Sequence, residues 1–272
     1  MALSFKRLKG LYLCFYLVSL STLGDELELE LGGGILVTSL PEYLGADSNN
    51  HYTLPFPYFY YKSESLEIDK NALTGLLWHS GNWHLDISAS GKIPVKSDET
   101  ELRKGMRDLG WIGEIGPSLN YYFSGTPHSD TSVTLAGSLR KAFALDSSID
   151  NIGWTAELSL STEFLLQQIT KLAELKVQTS VSALWGSEKY LDYFYGVDEK
   201  YITELRPSYD ARAGYSGTTF SFGASWKYRK VWLGAFTRYY WLNGSAQQNS
   251  PLVNSNNGWA LGLSLAWVFY QK

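Results

Sequence analysis

Four polar residues at alternate positions place a base, an acid and two hydroxyls close together: His84, Asp86, Ser88 and Ser90. A hydrolase triad needs such groups, with the nucleophile in hydrogen-bond reach of a base that an acid orients. In a strand, however, side chains two residues apart stand parallel at about 7 Å, which is poor geometry for proton transfer. The chain also has no G-x-S-x-G motif. We therefore predict a polar lining here and no catalytic residues.

The chain has few residues that could bind a metal or a cofactor. Its histidines form no His-x-His or His-x3-His pair, and Cys14 is its single cysteine. The run Gly32-Gly33-Gly34 has no phosphate-loop pattern and is predicted to relieve crowding within a sheet. The net charge of −4 offers no basic field for nucleic acid. We predict no metal, no cofactor and no nucleic-acid partner.

The first 24 residues resemble an export signal. Lys6, Arg7 and Lys9 precede an apolar stretch from Leu11 to Leu20, and small residues follow. Acidic residues then replace the flank that would stop a membrane-spanning helix. We predict a signal peptide at 1–24, cleaved near Ser21 or Gly24, and one domain at 25–272.

The rest of the chain alternates apolar and polar residues, which is the pattern of β-strands. In 259–269 the odd positions are Trp, Leu or Phe, and the even positions are small except for Val268. A soluble sandwich and a membrane barrel both use such strands. Aromatic residues cluster at strand ends, including 58–61, and the runs of about 10 to 14 residues are long enough to cross a bilayer. We predict an all-β, closed antiparallel transmembrane β-barrel.

Twelve runs are counted, and ten strands are the alternative. Even numbers are the rule for bacterial single-chain barrels. The least certain division is a turn at 215–217, and 65–79 is predicted as one strand; tight hairpins are predicted at 80–82 and 229–230. The long connections are 39–50, 91–110, 186–206 and 243–257. Counting from a periplasmic N-terminus places 91–110 and 186–206 in the periplasm and the other two outside.

Several segments resemble the MipA/OmpV family of outer-membrane proteins (MltA-interacting protein). The matches are Gly32-Gly33-Gly34 with the P-x-Y-x-G-x-D-like segment at 41–47, Gly105-Met106-Arg107-Asp108-Leu109 leading to Glu114-Ile115-Gly116-Pro117, Tyr193 to Val197, and Ser250-Pro251-Leu252-Val253. They follow the family order over nearly all of 25–272. The resemblance implies a Gram-negative outer-membrane protein embedded in lipid.

The resemblance also implies a non-enzymatic scaffold that links peptidoglycan-remodelling proteins, a lytic transglycosylase and a murein synthase. A small-solute channel and a surface adhesin remain the alternatives, and the sequence leaves the oligomeric state open. The nine charges in 91–110 are either a solvated loop or a docking surface for a periplasmic protein.

Charged residues on the polar face of the predicted strands would line the lumen: Asp86, Glu114, Arg140, Glu157, Glu163, Glu174, Lys176, Lys227 and Arg238. Compensating ion pairs would plug the lumen, whereas a ring of charges would select solutes in a narrow pore. Twelve strands lie between filled small barrels and open porins, so size does not separate the two. We favour a plugged or narrow lumen.

Overall fold

The computed structural model describes residues 28–62, 66–68, 73–127, 129–146, 148–170 and 173–272. The predicted signal peptide and His128 lie outside the described residues. The described part forms twelve strands and one α-helix, with three short 3-10 turns in the loops. The strands are β1 (Glu28–Pro41), β2 (Asn49–Lys62), β3 (Leu66–Ile68), β4 (Leu73–Ser80), β5 (Trp83–Lys92), β6 (Trp111–Ser124), β7 (Thr131–Leu145), β8 (Ile149–Thr170), β9 (Ala173–Gly186), β10 (Gly214–Tyr228), β11 (Val231–Trp241) and β12 (Asn257–Gln271). The helix is α1 (Glu188–Tyr195).

Each strand pairs antiparallel with its neighbours in sequence, so the predicted all-β antiparallel class is confirmed. β1 pairs with β12 as well as with β2, and the order of pairing returns to the first strand. The first and last described strands are joined there, since Leu29 N donates to Lys272 O at 3.0 Å. No α-helix among the described residues is long and apolar enough to cross a membrane.

The two faces of the sheet differ as the alternation predicts. On β12 the odd residues from Trp259 to Phe269 are 53–67% exposed, whereas Ala260, Ala266 and Val268 are buried. We call the face with the exposed apolar side chains the outer face and the opposite one the inner face. Tyr58, predicted to belong to an aromatic strand-end cluster, is an exception. It is buried on the inner face because it faces Gly32 across the β1–β2 pair.

Two predicted strand divisions are wrong. Residues 65–79 are not one strand, because the chain reverses between β3 and β4 and Ile68 pairs with Leu73. Residues 207–213 are loop, and β10 runs without a turn through 215–217. Ser216 is instead the extra residue of a bulge, and Gly217 follows it with a φ of +136°, which glycine tolerates.

The predicted hairpins after β4 and β10 are confirmed. Ser80 pairs with Trp83, and Tyr228 pairs with Val231. Gly81 and Arg229 both have positive φ, which gives the twist that tight hairpins prefer.

The predicted sidedness of the long loops is wrong. The loops 42–48, 93–110, 187–213 and 242–256 all lie at one end of the sheet, opposite the first and last residues of the described chain. Tyr43 Oη donates to Leu252 O at 2.7 Å, and Tyr195 Oη donates to Leu44 O at 2.8 Å. The missed reversal between β3 and β4 inverted the predicted direction of the strands after it. The extra strand predicted at 207–215 inverted the direction again, so the four loops were divided between two ends. We call these four loops the loop cap, and the opposite end the turn end.

Candidate functional site

The loop cap has a hydrophobic core of its own. Apolar side chains from all four loops pack together and against the cap-end residues of the strands. The buried loop members are Tyr43, Ala46, Val95, Leu109, Tyr190, Leu191, Phe194, Tyr195, Val197, Ala211 and Leu252. Burial of this much apolar surface holds the loops in one arrangement. The cap is therefore a folded unit over one end of the sheet.

Helix α1 supplies the centre of that core. Ser187 caps the helix, because its Oγ accepts from Tyr190 N at 3.3 Å and from Trp154 N at 3.0 Å. The helix lies very close to β8 at Gly153, where a Cβ would be 2.3 Å from Ser187 Oγ. Gly153 has a φ of +118°, so both its conformation and its contact favour glycine. Ile152 is the extra residue of a β-bulge here, since Gly153 pairs with Ala142 and Asn151 pairs with Phe143. This bulge seats the helix on the sheet.

Arg103 links two of the cap loops from a buried position. It is 1% exposed, and its Nη1 donates to Phe194 O at 2.7 Å. Its Nε donates to Ser97 Oγ at 3.3 Å, and its guanidinium lies 5.8 Å from the centre of the Tyr43 ring. Burial lowers the pKa of Arg103 below its ordinary value. Sequence analysis missed this residue, which was one of many charges in 91–110.

Glu114 is the hub of a polar network beneath the cap. Its Oε1 accepts from Tyr190 Oη at 2.8 Å, and Lys92 Nζ lies 3.4 Å from the same atom. Its Oε2 accepts from Thr155 Oγ1 at 3.2 Å. Burial raises the pKa of Tyr190, so the hydroxyl keeps its proton and acts as a donor. The carboxylate therefore binds the cap helix to the inner face of β6.

Arg140 extends this network to the next strand. Its Nη2 donates to Glu157 Oε2 at 2.7 Å, and its Nη1 lies 3.8 Å from Glu114 Oε2. Its Nε donates to Ser88 Oγ at 2.8 Å. Three of the predicted charges, Glu114, Arg140 and Glu157, thus form one cluster of compensating pairs.

The residues considered above as a possible hydrolase triad belong to two separate networks. Asp86 accepts a hydrogen bond from Asn120 Nδ2, and Asn120 Oδ1 accepts from Ser118 Oγ at 3.0 Å. His84 stacks on His79 with 5.7 Å between the ring centres. Ser88 belongs instead to the Arg140 cluster. The arrangement is that of hydrogen-bonded inner-face packing.

Lys227 forms a second ion pair near the turn end. Its partner is Glu30, whose carboxylate also accepts from Tyr58 Oη at 3.1 Å and from Gln271 Nε2 at 3.2 Å. Sequence analysis missed Glu30 because it was grouped with the acidic residues that follow the signal. Its alternation with Thr38 and the inner glycines of β1 could have assigned it to the inner face.

The other predicted charges lie apart from these clusters. Glu174 and Lys176 are exposed on the inner face of β9, and Lys176 Nζ lies 3.9 Å from Glu163 Oε1. The guanidinium of Arg238 lies 5.5 Å from the centre of the Phe236 ring on β11. Since Arg238 lies toward the cap and Lys227 next to a turn-end hairpin, the nine candidates occupy several levels along the strands.

Part of the inner face is aromatic. Phe56, Trp232 and Phe236 lie against glycines, where an added Cβ would be 2.2–2.6 Å from a ring atom. At Gly34 that Cβ would be 2.6 Å from Phe56 Cζ, which supports the predicted role of these glycines in relieving crowding. Within the described ranges no group of three His, Cys, Asp or Glu side chains could hold a metal.

Comparison with known proteins identifies the class first. The chain is 24% identical to outer membrane protein Omp26La of Vibrio anguillarum, over 70% of this chain and 88% of that one. It is also 24% identical to outer membrane protein OmpV of Vibrio cholerae serotype O1, with the same coverage of each chain. The protein is an outer-membrane protein.

The family follows from a longer match. Residues 32–269 match the family model described as MltA-interacting protein MipA, so the chain belongs to that family. Among solved structures, a monoaromatic hydrocarbon channel, CymD, aligns with 90% of this chain and 88% of its own at 11% identity, but its TM-score of 0.30 carries no argument.

Proposed function

We propose that this chain is a closed, twelve-strand β-barrel of the outer membrane whose interior is plugged at the cap end, and that it acts as a non-enzymatic scaffold for peptidoglycan-remodelling proteins. The observation that carries the proposal is the Glu114 network. It ties a folded cap to the inner wall, which supports an interior closed at that end. The scaffold role is supported by the family description.

The outer face supports the placement in a bilayer. Its apolar residues on β12 extend from Trp259 to Phe269, which is about 33 Å along a strand. A strand tilt of about 40° reduces this to about 25 Å, the height of the apolar band in outer-membrane barrels. Exposed aromatic residues flank the band at both ends. They are Trp111, Trp154, Trp185, Trp241 and Trp259 toward the cap, and Trp83, Phe123, Tyr228, Trp267 and Phe269 toward the turns.

The connection lengths support an orientation. Outer-membrane barrels have short periplasmic turns and longer outer loops. The hairpins at 81–82 and 229–230 lie at the turn end, as do the first and last described residues, so that end faces the periplasm in this proposal. A periplasmic transglycosylase or synthase, the partner class suggested by the family description, would then meet the turn end. The loop 93–110 belongs to the cap and would face outward.

Site-directed crosslinking in native envelopes tests the scaffold and its orientation together. Because Cys14 lies in the predicted signal, Lys230→Cys would place a single thiol at the turn end, and Asp47→Cys would place one on the cap as the matched control. We expect antibodies against the transglycosylase or synthase to detect crosslinks from Lys230→Cys alone. Crosslinks from Asp47→Cys alone would reverse the orientation, and none from either variant would count against the scaffold.

A small-solute channel is the second candidate. The exposed inner-face charges Glu174, Lys176 and Arg238 favour it, because exposure on that face implies water there. Purified protein in planar bilayers would show discrete conductance steps, and Arg238→Glu would change their ion selectivity. If no conductance steps are observed, the channel function is contradicted.

An adhesin role would use the cap, which faces outward in the proposed orientation. Deletion within 42–48 would then reduce surface attachment of cells, whereas a variant at the turn end, Lys230→Ala, would not.

A further inference from the structure

The outer face carries one isolated charge. Among the strand residues whose side chains the structure describes, Lys141 is the only Asp, Glu, Lys or Arg on that face. Its neighbours across the sheet are Ile115 and Trp154, and its Nζ lies 5.8 Å from the centre of the Phe143 ring. None of the described carboxylates forms a salt bridge with it. A cation held among apolar side chains is costly unless an anion is nearby.

A groove of about 510 Å³ lies beside this lysine on the same face. Its walls are mainly apolar and include Ile115, Pro117, Leu139 and Trp154, with Asn151 as a neutral polar member. Arg140 also lines the groove, but its guanidinium is paired with Glu157 in the inner-face cluster, which leaves Lys141 as the unpaired cation among the described residues of the groove. Leu139 and Ile115 are exposed, so the groove opens to the surroundings of the outer face.

The groove lies where the strand pairing is interrupted. Pairing of β6 with β7 passes from Ile115–Lys141 to Ser118–Ser138 without the pairs between them. Pro117 has no N–H to donate there, and Gly116 approaches the Leu139 carbonyl so closely that a Cβ would be 1.9 Å from its oxygen. On the other side, the Gly153 bulge displaces the start of β8. The concavity is thus fixed by backbone geometry.

The level of Lys141 along the strand indicates what meets it. Its cross-strand neighbour Trp154 belongs to the exposed aromatic residues at the cap end, and such residues lie at the depth of lipid headgroups. A lysine at that depth covers apolar surface with its stem and directs its ammonium toward the headgroups. Phosphate is the anionic group that lipids carry at this depth.

We propose that Lys141 and the adjoining groove bind one phosphate-bearing lipid, with the phosphate at the Lys141 ammonium and an acyl chain along Ile115, Leu139 and Trp154. This site depends on the location in the outer membrane and is independent of any protein partner. Failure of the crosslinking experiment would leave it unchanged.

Native mass spectrometry of the detergent-solubilised protein tests the site. The protein is titrated with phosphatidylglycerol and, separately, with diacylglycerol of the same acyl chains, which lacks the phosphate. We expect a preference of about fivefold for phosphatidylglycerol, since one lysine near anionic headgroups contributes about that much. Lys141→Ala abolishes the preference, Lys141→Arg retains it, and Lys176→Ala, which removes a lysine from the inner face, leaves it unchanged.

Two further experiments extend the test. The first separates the contribution of the groove from that of the Lys141 charge, and the second distinguishes a bound lipid from a free anion. Leu139→Trp fills the groove and lowers retention of both lipids. Excess inorganic phosphate leaves phosphatidylglycerol bound, because the acyl chain contributes to binding. An equal affinity for both lipids in the unmodified protein, or an unchanged preference in Lys141→Ala, would overturn the proposal. Displacement by inorganic phosphate would show a free-anion site and overturn it too.

Discussion

Tyr190 and Glu114, which are 76 residues apart, are joined by a hydrogen bond of 2.8 Å between the cap helix and the inner face of β6. Glu114 is also within salt-bridge distance of Lys92 and Arg140. A buried carboxylate with several donors is stable only while those donors stay in place. The position of the cap and the electrostatics of the inner face therefore depend on each other.

Removal of the Tyr190 hydroxyl should destabilise the cap. Tyr190→Phe leaves Glu114 without its shortest hydrogen bond, which costs about 1–3 kcal/mol for a buried charged acceptor. Urea unfolding followed by tyrosine and tryptophan fluorescence measures the loss. Tyr201→Phe is the control, because the Tyr201 hydroxyl makes no hydrogen bond within the described residues. Equal losses in both variants would contradict the assigned role of the Tyr190–Glu114 bond.

Substitution of Arg103 should release the loop 93–110 from 187–213. Arg103→Met leaves the Phe194 carbonyl and Ser97 Oγ without the guanidinium that bonds them both. We expect proteases to cleave 93–110 faster while the strands stay intact on the gel. Lys96→Ala is the matched control, since its exposed pair with Glu99 contributes little. A cleavage pattern like that of the unmodified protein would show that Arg103 does not hold the loops.

Acidification should stabilise the cap through Asp192. Burial raises the pKa of Asp192 above its ordinary value, and nearby acidic residues add to the effect. The folded state therefore binds this proton more tightly than the unfolded state, so the contribution to stability is present at low pH and is lost as pH rises through the raised pKa.

Thermal midpoints measured between pH 7 and pH 4 test this sign. We expect Asp192→Asn to stabilise the protein most at neutral pH, because it removes a charge that partial burial and nearby acidic residues disfavour, and it leaves an oxygen that can accept from Ala211 N. The gain should shrink toward pH 4. Asp130→Asn, at the turn end, is the control. A gain that grows on acidification would reverse the sign and contradict the prediction.

A charge in the middle of the outer face should hinder folding into a bilayer. Leu263→Arg places the charge among Leu261 and Leu265, where the cost is about 2–4 kcal/mol near the bilayer centre. Gln178→Arg adds the same side chain on the inner face of β9 and should cost much less. The free energy of folding into lipid vesicles measures both. Similar costs would indicate that the outer face does not meet lipid.

The alternation of side chains was readable from sequence because the outer and inner faces carry opposite chemistry at successive residues. It therefore placed Glu114, Arg140 and Glu157 on one face, although it could not show that they form one cluster. Bulges escaped it. Strict alternation would place Ile152 on the outer face with Trp154, but Ile152 is 4% exposed in the cap core, because a bulge at Gly153 changes the phase between them.

The cap was beyond sequence reasoning for a different reason. Loop packing depends on which loops share an end, and that depends on every strand reversal before them. The reversal between β3 and β4 and the bulge at Ser216 carry no distinctive pattern of apolar residues. Arg103 and Tyr190 gain their partners only after those reversals are known.

The seam between β1 and β12 joins residues as far apart as Glu30 and Gln271. Every other neighbouring pair of strands is consecutive in the chain, so these pairs form through local contacts. The β1–β12 pair can form only after β12 has been synthesised and exported. Until then the backbone groups of the first strand have an open side that another chain could occupy. Loss of β12 would thus leave β1 and β11 each with one unpaired edge and expose the sheet to aggregation before it reaches the membrane.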